Sequence, residues 1–232
     1  MQVLVFNGSP RVERGATAGV LKLFIEGIES AGANVELVYV NKLNISPCRG
    51  CFNCWTKTPG KCIQSDDMEG ILDKMASADI IVFGTPLYVD GMTGPMKVLL
   101  DRSIPLMQGK FELRDDHCRH PLREHVKRGK VVLVSVSGFT ELDNFDPLIV
   151  HIKAICKNMD REYVGAIIRP IAHMIPYLEE RKIPVEDVIA SIRAAGVELI
   201  ENGVFSKETL KTIERELVDR EMYIKGASAS FS

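Results

Sequence analysis

Four cysteines stand close together in one polar stretch of the chain. Cys48, Cys51 and Cys54 are each separated by two residues, and Cys62 follows after seven more. Three thiolates at this spacing can bind successive corners of an iron–sulfur cubane, and a fourth, placed after a Pro-Gly turn, can complete the ligand set. Structural zinc sites use separated cysteine pairs, so the overlapping spacing fits zinc less well. The spacing therefore favours a [4Fe–4S] cluster, with bare structural or redox thiols and a zinc site as the alternatives.

A second set of polar side chains surrounds the first predicted turn. Residues 2–6 form a short apolar run typical of a buried strand, and apolar residues recur at helical spacing from Thr17 onward. Ser9, Arg11 and Thr17 supply two hydroxyls and a guanidinium around this turn. Because a strand–turn–helix unit directs free backbone N–H groups at an anion, the turn predicts a phosphate site. The alternative is an ordinary βα turn with solvated side chains.

The type of phosphate follows from the motifs that this turn lacks. Neither the dinucleotide fingerprint G-x-G-x-x-G nor the P-loop G-x-x-x-x-G-K-[ST] occurs there. The turn therefore suits a terminal phosphate dianion better than a buried pyrophosphate.

Alternating apolar patterns predict the elements that position these residues. The predicted strands are 2–6, 34–40, 79–84, 130–136 and 163–168, and the predicted helices between them are 17–28, 66–76, 94–106 and 147–157. Asp66 is the expected N-cap of the second helix. Such alternation implies a doubly wound, five-stranded parallel α/β sheet. Ligands of an open parallel sheet bind beyond the carboxyl ends of its strands, so the loops after strands one, three and four should share one edge.

The remaining segments follow other patterns. Residues 107–128 are polar and show no clear period, which is typical of a lid or an interface arm. Beyond residue 170, two amphipathic helices are predicted at 185–201 and 207–219, with a frayed tail from Gly226 onward. We therefore predict a helical C-terminal extension, 171–232, that packs on the sheet domain or on another subunit.

Composition limits the classes of partner. The chain of 232 residues is 46% hydrophobic and has a formal net charge of −2, which argues against nucleic-acid and membrane-surface partners. No signal peptide and no apolar run of membrane-spanning length is visible. The six cysteines are then expected to be reduced thiols or metal ligands, and we expect a cytoplasmic protein.

Several short motifs carry a resemblance to a known family. Asn-Gly-Ser-Pro-Arg after the first strand, and Gly-Thr-Pro-Leu-Tyr followed by Met96-Lys97 and Asp101-Arg102, resemble the flavodoxin-like NADPH-dependent FMN reductase superfamily. The compact cysteine motif is similar to that of its iron–sulfur flavoprotein branch. The resemblance implies that residues 1–170 form a flavodoxin-like FMN-binding domain with a cysteine-rich loop at 47–63.

The resemblance also implies a set of cofactor-binding residues. The FMN phosphate would lie on Ser9, Arg11 and Thr17. The isoalloxazine would lie along Pro86, Leu87, Tyr88, Val89 and Gly91, with Ser137 and Gly138 on its far side. Family members often have Gly-Asn-Thr at the start of the first helix, whereas this chain has Gly15-Ala16-Thr17, so one phosphate contact is missing.

The functional hypothesis is an FMN- and [4Fe–4S]-containing oxidoreductase that passes electrons between a one-electron donor, such as ferredoxin, and an acceptor. No general acid or base is required, because the cofactors carry the chemistry. The resemblance implies a homodimer or tetramer. One alternative is an NAD(P)H-dependent FMN or quinone reductase without a cluster. Another is a non-enzymatic interaction module organised by a cysteine knuckle, with or without zinc.

Overall fold

A five-stranded parallel sheet forms the centre of the protein. The structure is a computed structural model and describes residues 1–230. The strands of the sheet are β1 (Gln2–Asn7), β2 (Asn34–Tyr39), β3 (Ile80–Pro86), β6 (Lys130–Ser137) and β7 (Glu162–Pro170). Their order is β2-β1-β3-β6-β7, and every pair is parallel. This is the flavodoxin-like order, so the predicted fold is confirmed.

Helices cover both faces of the sheet. They are α1 (Ala16–Ser30), α2 (Met68–Ser77), α3 (Gly94–Asp101) and α4 (Asp146–Asn158), followed by α5 (Met174–Glu180), α6 (Glu186–Glu201), α7 (Lys207–Glu214) and α8 (Arg220–Ser230). Alternate residues of each central strand enter two separate apolar clusters. Val82 and Val132 pack with α1 and α6, whereas Ile81 and Val131 pack with α2, α3 and α4. Burial on both faces explains why these strands are continuous apolar runs rather than alternating ones.

The end of the third helix and the start of the second differ from the prediction. The third helix ends at Asp101 rather than 106, and a 3-10 turn, Ile104–Leu106, follows it. Pro105 cannot donate a helical hydrogen bond, which is why the helix does not continue. The second helix begins at Met68, and the predicted N-cap, Asp66, instead binds Arg102 while accepting a hydrogen bond from the Met68 N–H at 3.2 Å.

The polar stretch 107–128 contains a hairpin that the sequence pattern did not predict. Its strands are β4 (Glu112–Arg114) and β5 (His117–Arg119). Asp115 and Asp116 join them, and both have positive φ angles, 52° and 58°. Positive φ at both central residues is typical of a type I′ turn, in which Asp is well tolerated. The three-residue strands are too short to show the alternation of apolar and polar residues that predicts a strand.

The C-terminal extension packs on the sheet domain through helix α6. Gly27 of α1 and Gly196 of α6 meet, and a Cβ atom at Gly196 would overlap the Phe24 carbonyl oxygen. Val188, Ile189, Ile192 and Leu199 of α6 are buried in the cluster they share with α1, as predicted, whereas Val197 is half-buried.

The extension contains more helix than the sequence pattern predicted. Two additional helices, α5 and α8, are present, and α8 includes the residues expected to be frayed. Helix α7 ends at Glu214 rather than 219, because Arg215 adopts extended backbone and pairs with Asp187. The predicted extension runs to 232, and its last two residues lie outside the described part of the chain. Across residues 1–230, no helix has both the length and the apolar character needed to cross a membrane.

Candidate functional site

One edge of the sheet gathers the predicted functional segments. The strands β1, β2, β3 and β6 are parallel, so their carboxyl ends at Asn7, Tyr39, Pro86 and Ser137 point in the same direction. The turn with Ser9 and Arg11, the cysteine-rich loop and the two predicted ring-binding loops therefore all leave the sheet at this edge. In flavodoxin-like sheets this edge is where ligands bind.

Hydrogen bonds from Asn7 shape the turn after β1. The Asn7 side-chain oxygen accepts from the Ser9 N–H at 2.9 Å, and the Arg11 N–H donates to Ser9 Oγ at 3.3 Å. Ser9 is buried, and the Arg11 side chain is exposed. Asn7 was not among the predicted site residues, since a polar residue at a strand end has no distinctive pattern.

The Thr17 hydroxyl is buried and has no partner. Thr17 is 1% exposed, and its Oγ1 makes no hydrogen bond to any described residue. Within the described chain, no side chain caps the N-terminus of α1 at Gly15. A Cβ atom at Gly15 would lie 2.5 Å from Ser9 Oγ. A buried donor, an uncapped helix N-terminus and a turn without a side chain together fit an anion such as a phosphate group.

Two further residues hold this turn against its neighbours. The Gly8 carbonyl accepts from Thr93 Oγ1 at 2.8 Å and from Asn41 Nδ2 at 3.1 Å. Lys42 also pairs with Glu13. Asn41 and Lys42 lie between β2 and the cysteine-rich loop, so these contacts tie the turn to the segment that leads into that loop. Neither Thr93 nor Asn41 was predicted, because such contacts join residues far apart in the sequence.

The loop after β3 ends in a tight turn with an exposed apolar tip. Tyr88 and Gly91 exchange backbone hydrogen bonds of 2.9 and 3.1 Å. Val89 and Asp90 between them have φ angles of 48° and 56°, a costly conformation for a β-branched residue. Val89 is fully exposed and Tyr88 is half exposed. A Cβ atom at Gly91 would meet nothing closer than 3.8 Å, so space remains beside its backbone.

Pro86 and Leu87 connect this tip to the sheet. Both are half-buried, and the Leu87 N–H donates to the Val136 carbonyl at 2.8 Å. The side chains of the predicted ring-binding loop that reach solvent are therefore those of its tip rather than those of its base.

Helix α8 reaches the loop after β6. Ser137 Oγ donates to the Phe139 carbonyl at 2.8 Å, and the Gly138 carbonyl accepts from Tyr223 Oη at 2.6 Å. Arg220 pairs with Glu141 at 2.7 Å. The hydroxyl of Ser137 thus stabilises its own turn. The sequence pattern gave no sign of the Tyr223 contact, because it joins residues 85 apart in the chain.

The four cysteines of the motif line one cavity. The cavity is lined by Cys48, Cys51, Cys54 and Cys62 together with apolar and polar side chains. The apolar part is Phe52, Ile63, Ile104 and Pro105, and the polar part is Arg49, Gln64 and Arg102. All six cysteines of the chain are unpaired thiols within residues 1–230. Grouped thiols in a partly apolar cavity fit a thiolate-bound metal centre.

Hydrogen bonds approach three of the four sulfurs. The N–H groups of Gly50 and Gln64 donate to Cys48 Sγ and Cys62 Sγ, and the Asn53 side chain donates to Cys51 Sγ, each at 3.5 Å. Cys54 is the buried member. Burial, and then the neighbouring thiols of Cys62, Cys48 and Cys51, raise the pKa of the Cys54 thiol. N–H donors to sulfur favour the charged form that metal ligands adopt.

Contacts that do not involve sulfur hold the cysteine-rich loop in place. Trp55 Nε1 donates to the Ile104 carbonyl at 3.0 Å. Arg123 donates to the carbonyls of Cys54 and Pro105 at 3.0 and 2.8 Å. Phe52 stacks on Trp55 with ring centroids 5.1 Å apart. Phe52 lines the cysteine cavity, and Trp55 anchors the loop.

A buried ion pair closes the base of the loop. Arg102 Nη1 and Nη2 donate to the two oxygens of Asp66 at 2.7 and 3.0 Å, and Nη1 also donates to the Ser46 carbonyl at 2.6 Å. Burial would raise the pKa of Asp66. The hydrogen bonds from Arg102 and from the Ser46 and Met68 N–H groups outweigh burial and hold that pKa below its usual value.

The geometry of a single metal ion is not found. Among residues 1–230, no three His, Cys, Asp or Glu side chains stand close enough to share one ion.

Sequence comparison gives a family for the chain. A family model described as NADPH-dependent FMN reductase matches residues 1–140. An iron–sulfur flavoprotein of Archaeoglobus fulgidus is 36% identical over 115 residues, which are 50% of this chain and 55% of the relative. One of Methanocaldococcus jannaschii is 39% identical over 115 residues, which are 50% of this chain and 58% of the relative. The chain therefore spans about half the length of the curated relatives it matches.

Solved structures share the fold at lower identity. An FMN-dependent NADH-azoreductase from Bacillus anthracis, solved in complex with FMN, has a TM-score of 0.63 and 15% identity. The match covers 86% of this chain and 99% of that one. An NAD(P)H:quinone oxidoreductase from Methanothermobacter marburgensis has a TM-score of 0.59 and 17% identity, and the match covers 85% of this chain and 94% of that one.

Proposed function

Because the chain belongs to the NADPH-dependent FMN reductase family, we propose that it is an iron–sulfur flavoprotein. It is an FMN-dependent oxidoreductase that passes electrons between a one-electron donor and an acceptor through FMN and a [4Fe–4S] cluster. The observation that carries this proposal is the single cavity lined by Cys48, Cys51, Cys54 and Cys62 on the strand edge where the flavin loops emerge. The names of the similar archaeal proteins support it.

FMN binds at the edge formed by the β1, β3 and β6 loops. Ser9, Arg11 and Thr17 hold its phosphate, and the unpartnered Thr17 hydroxyl and uncapped α1 support this assignment. The ring lies along Pro86, Leu87, Tyr88, Val89 and Gly91, with Ser137 and Gly138 opposite. The space beside Gly91 and the exposure of Tyr88 suit a flat ligand.

The four cysteines hold the cluster, and the protein around them controls access of water. When bound, FMN supplies one- and two-electron chemistry, and the cluster supplies one-electron transfer. The chain's own residues bind and orient these groups. Phe52, Ile63 and Ile104 line the cavity with apolar surface, and the N–H groups of Gly50 and Gln64 approach the sulfurs.

The cysteine assignment is tested by metal analysis of anaerobically purified protein. We expect about four iron and four sulfide per subunit in the unmodified chain, because a cubane contains that number. Alanine at any one of the four cysteines should release or convert the cluster, whereas FMN content should persist. Cys118→Ala and Cys156→Ala are matched controls that should keep both cofactors, since neither residue lines the cavity. Protein that stays free of iron after anaerobic reconstitution would refute the cluster.

A second candidate function is an NAD(P)H-dependent FMN or quinone reductase without a cluster. The family model and the exposed tip at Tyr88 and Val89 favour it, because a nicotinamide needs an open flavin face. Rapid NAD(P)H oxidation by a flavin-loaded, iron-free protein would select this function. Reduction by ferredoxin that is lost in the cysteine variants would select the first.

Self-association is part of the proposal. Tyr88, Val89, Phe139 and Leu142 leave large apolar side chains exposed on the loops of the flavin edge. A homodimer or tetramer would cover such a surface. Sedimentation of Val89→Glu beside the unmodified chain tests this, and identical assembly of the two proteins would refute the role of the tip.

A further inference from the structure

Arg102 has one donor that the protein leaves unused. The residue is 1% exposed, and its two terminal nitrogens are satisfied by Asp66 and the Ser46 carbonyl. Its Nε is buried and has no hydrogen-bond partner in the described chain. A buried donor left unpaired is destabilising, so the free Nε fits a site where a bound group supplies the missing acceptor.

The position of Arg102 connects this donor to the cysteines. Arg102 lines the same cavity as the four cysteines, whereas its partner Asp66 does not. The positive partner of the ion pair therefore borders the cysteine cavity, and the negative partner does not.

Arg102 joins the two ends of the cysteine-rich loop. Ser46 lies two residues before Cys48, and Asp66 lies four residues after Cys62. Both are held by one guanidinium at the end of α3. A change at Arg102 can therefore alter both the charge at the cavity and the separation of its ligands.

We infer that Arg102 is a positioning residue for the metal centre, with its charge and its free Nε–H directed at the ligand set beside Cys62. This inference rests on the proposed function. Four thiolates around a cubane carry net negative charge, which increases when the cluster takes up an electron from the one-electron donor. A buried cation and a donor to sulfur stabilise that electron-rich state and raise the reduction potential.

Two substitutions with opposite expected effects test the inference. Arg102→Met removes the charge and the donor while keeping an apolar stem, so the cluster potential should become more negative. Asp66→Asn leaves the guanidinium without its counter-charge, so the potential should become less negative. Lys97→Met is the control, because Lys97 lies on α3 but is exposed and pairs with Asp101. The measurement is a redox titration followed by the electron paramagnetic resonance signal of the reduced cluster.

Iron release to a chelator gives a second readout. It should be about tenfold faster in Arg102→Met, in line with the effect of losing an outer-sphere partner of a metal ligand. If Arg102→Met retains no iron, Asp66→Asn alone decides the question. Shifts of the same sign in both variants, or a potential that neither changes, would overturn the inference and leave Arg102 a structural residue. Absence of iron and sulfide from the unmodified protein would instead refute the proposed function.

Discussion

Replacing Thr17 with valine separates the role of its hydroxyl in binding from any role in folding. Thr17 is 1% exposed, and its hydroxyl has no partner among the described residues. An unsatisfied buried hydroxyl costs about 1–3 kcal/mol, and Thr and Val have similar helix propensities. Thr17→Val should therefore raise the free energy of unfolding of the FMN-free protein, by about 1 kcal/mol.

FMN binding should change in the opposite direction. A hydrogen bond to a charged group contributes about 1.5–3 kcal/mol, so loss of the contact to the phosphate should raise the FMN dissociation constant about 10- to 100-fold. Riboflavin has no phosphate, and its affinity should be unchanged. The two ligands can be compared by quenching of flavin fluorescence, and stability by urea unfolding followed by circular dichroism.

Thr212→Val is the matched control for these measurements. Its hydroxyl is exposed on α7 and donates to the Glu208 carbonyl, so both stability and affinity should stay within about 0.5 kcal/mol. Equal weakening of FMN and riboflavin by Thr17→Val would refute the phosphate assignment. A loss of stability in the FMN-free protein would show that the hydroxyl supports the fold.

Two further predictions concern packing and pH. Gly196→Ala should lower the free energy of unfolding by about 1–3 kcal/mol in a urea titration, because its Cβ would overlap the α1 backbone. Gly19→Ala is the control: its Cβ would meet nothing within 4 Å in the described structure, so it should be neutral or stabilising in the same titration. Arg102 lowers the pKa of Asp66, so the ion pair contributes to the free energy of unfolding above about pH 4, and this contribution is lost as the pH falls through the lowered pKa. Asp66→Asn should remove that part of the acid dependence of stability. An unchanged dependence of stability on acid pH would contradict the assignment.

The parts of the fold that depend on local pattern were predictable from sequence. The central strands are buried on both faces, so each is a continuous apolar run whose ends are marked by Asn7 or Pro86. Their alternation with helices was sufficient to predict the parallel sheet. The spacing of the four cysteines predicted that they would lie together, and in the structure they line one cavity.

Contacts between distant residues were not predictable. Asp66 has the sequence pattern of an N-cap, but the guanidinium of Arg102, 36 residues away, binds its carboxylate instead. Thr93 and Asn41 meet at the Gly8 carbonyl from separate loops. Tyr223 donates to the Gly138 carbonyl, 85 residues earlier in the sequence. Tertiary contacts decide each of these positions, and no local pattern records them.

The contact between α1 and α6 has a consequence for synthesis of the protein. Gly27 and Gly196 bring the two backbones together, and Glu26 pairs with Arg193, 167 residues later. Helix α1 is translated before α6, the helix that covers its outer apolar face. During elongation Phe24 and its neighbours on α1 lack that cover. We expect ribosome-bound chains that stop before α6 to bind chaperones, because they expose this face until α6 has been translated.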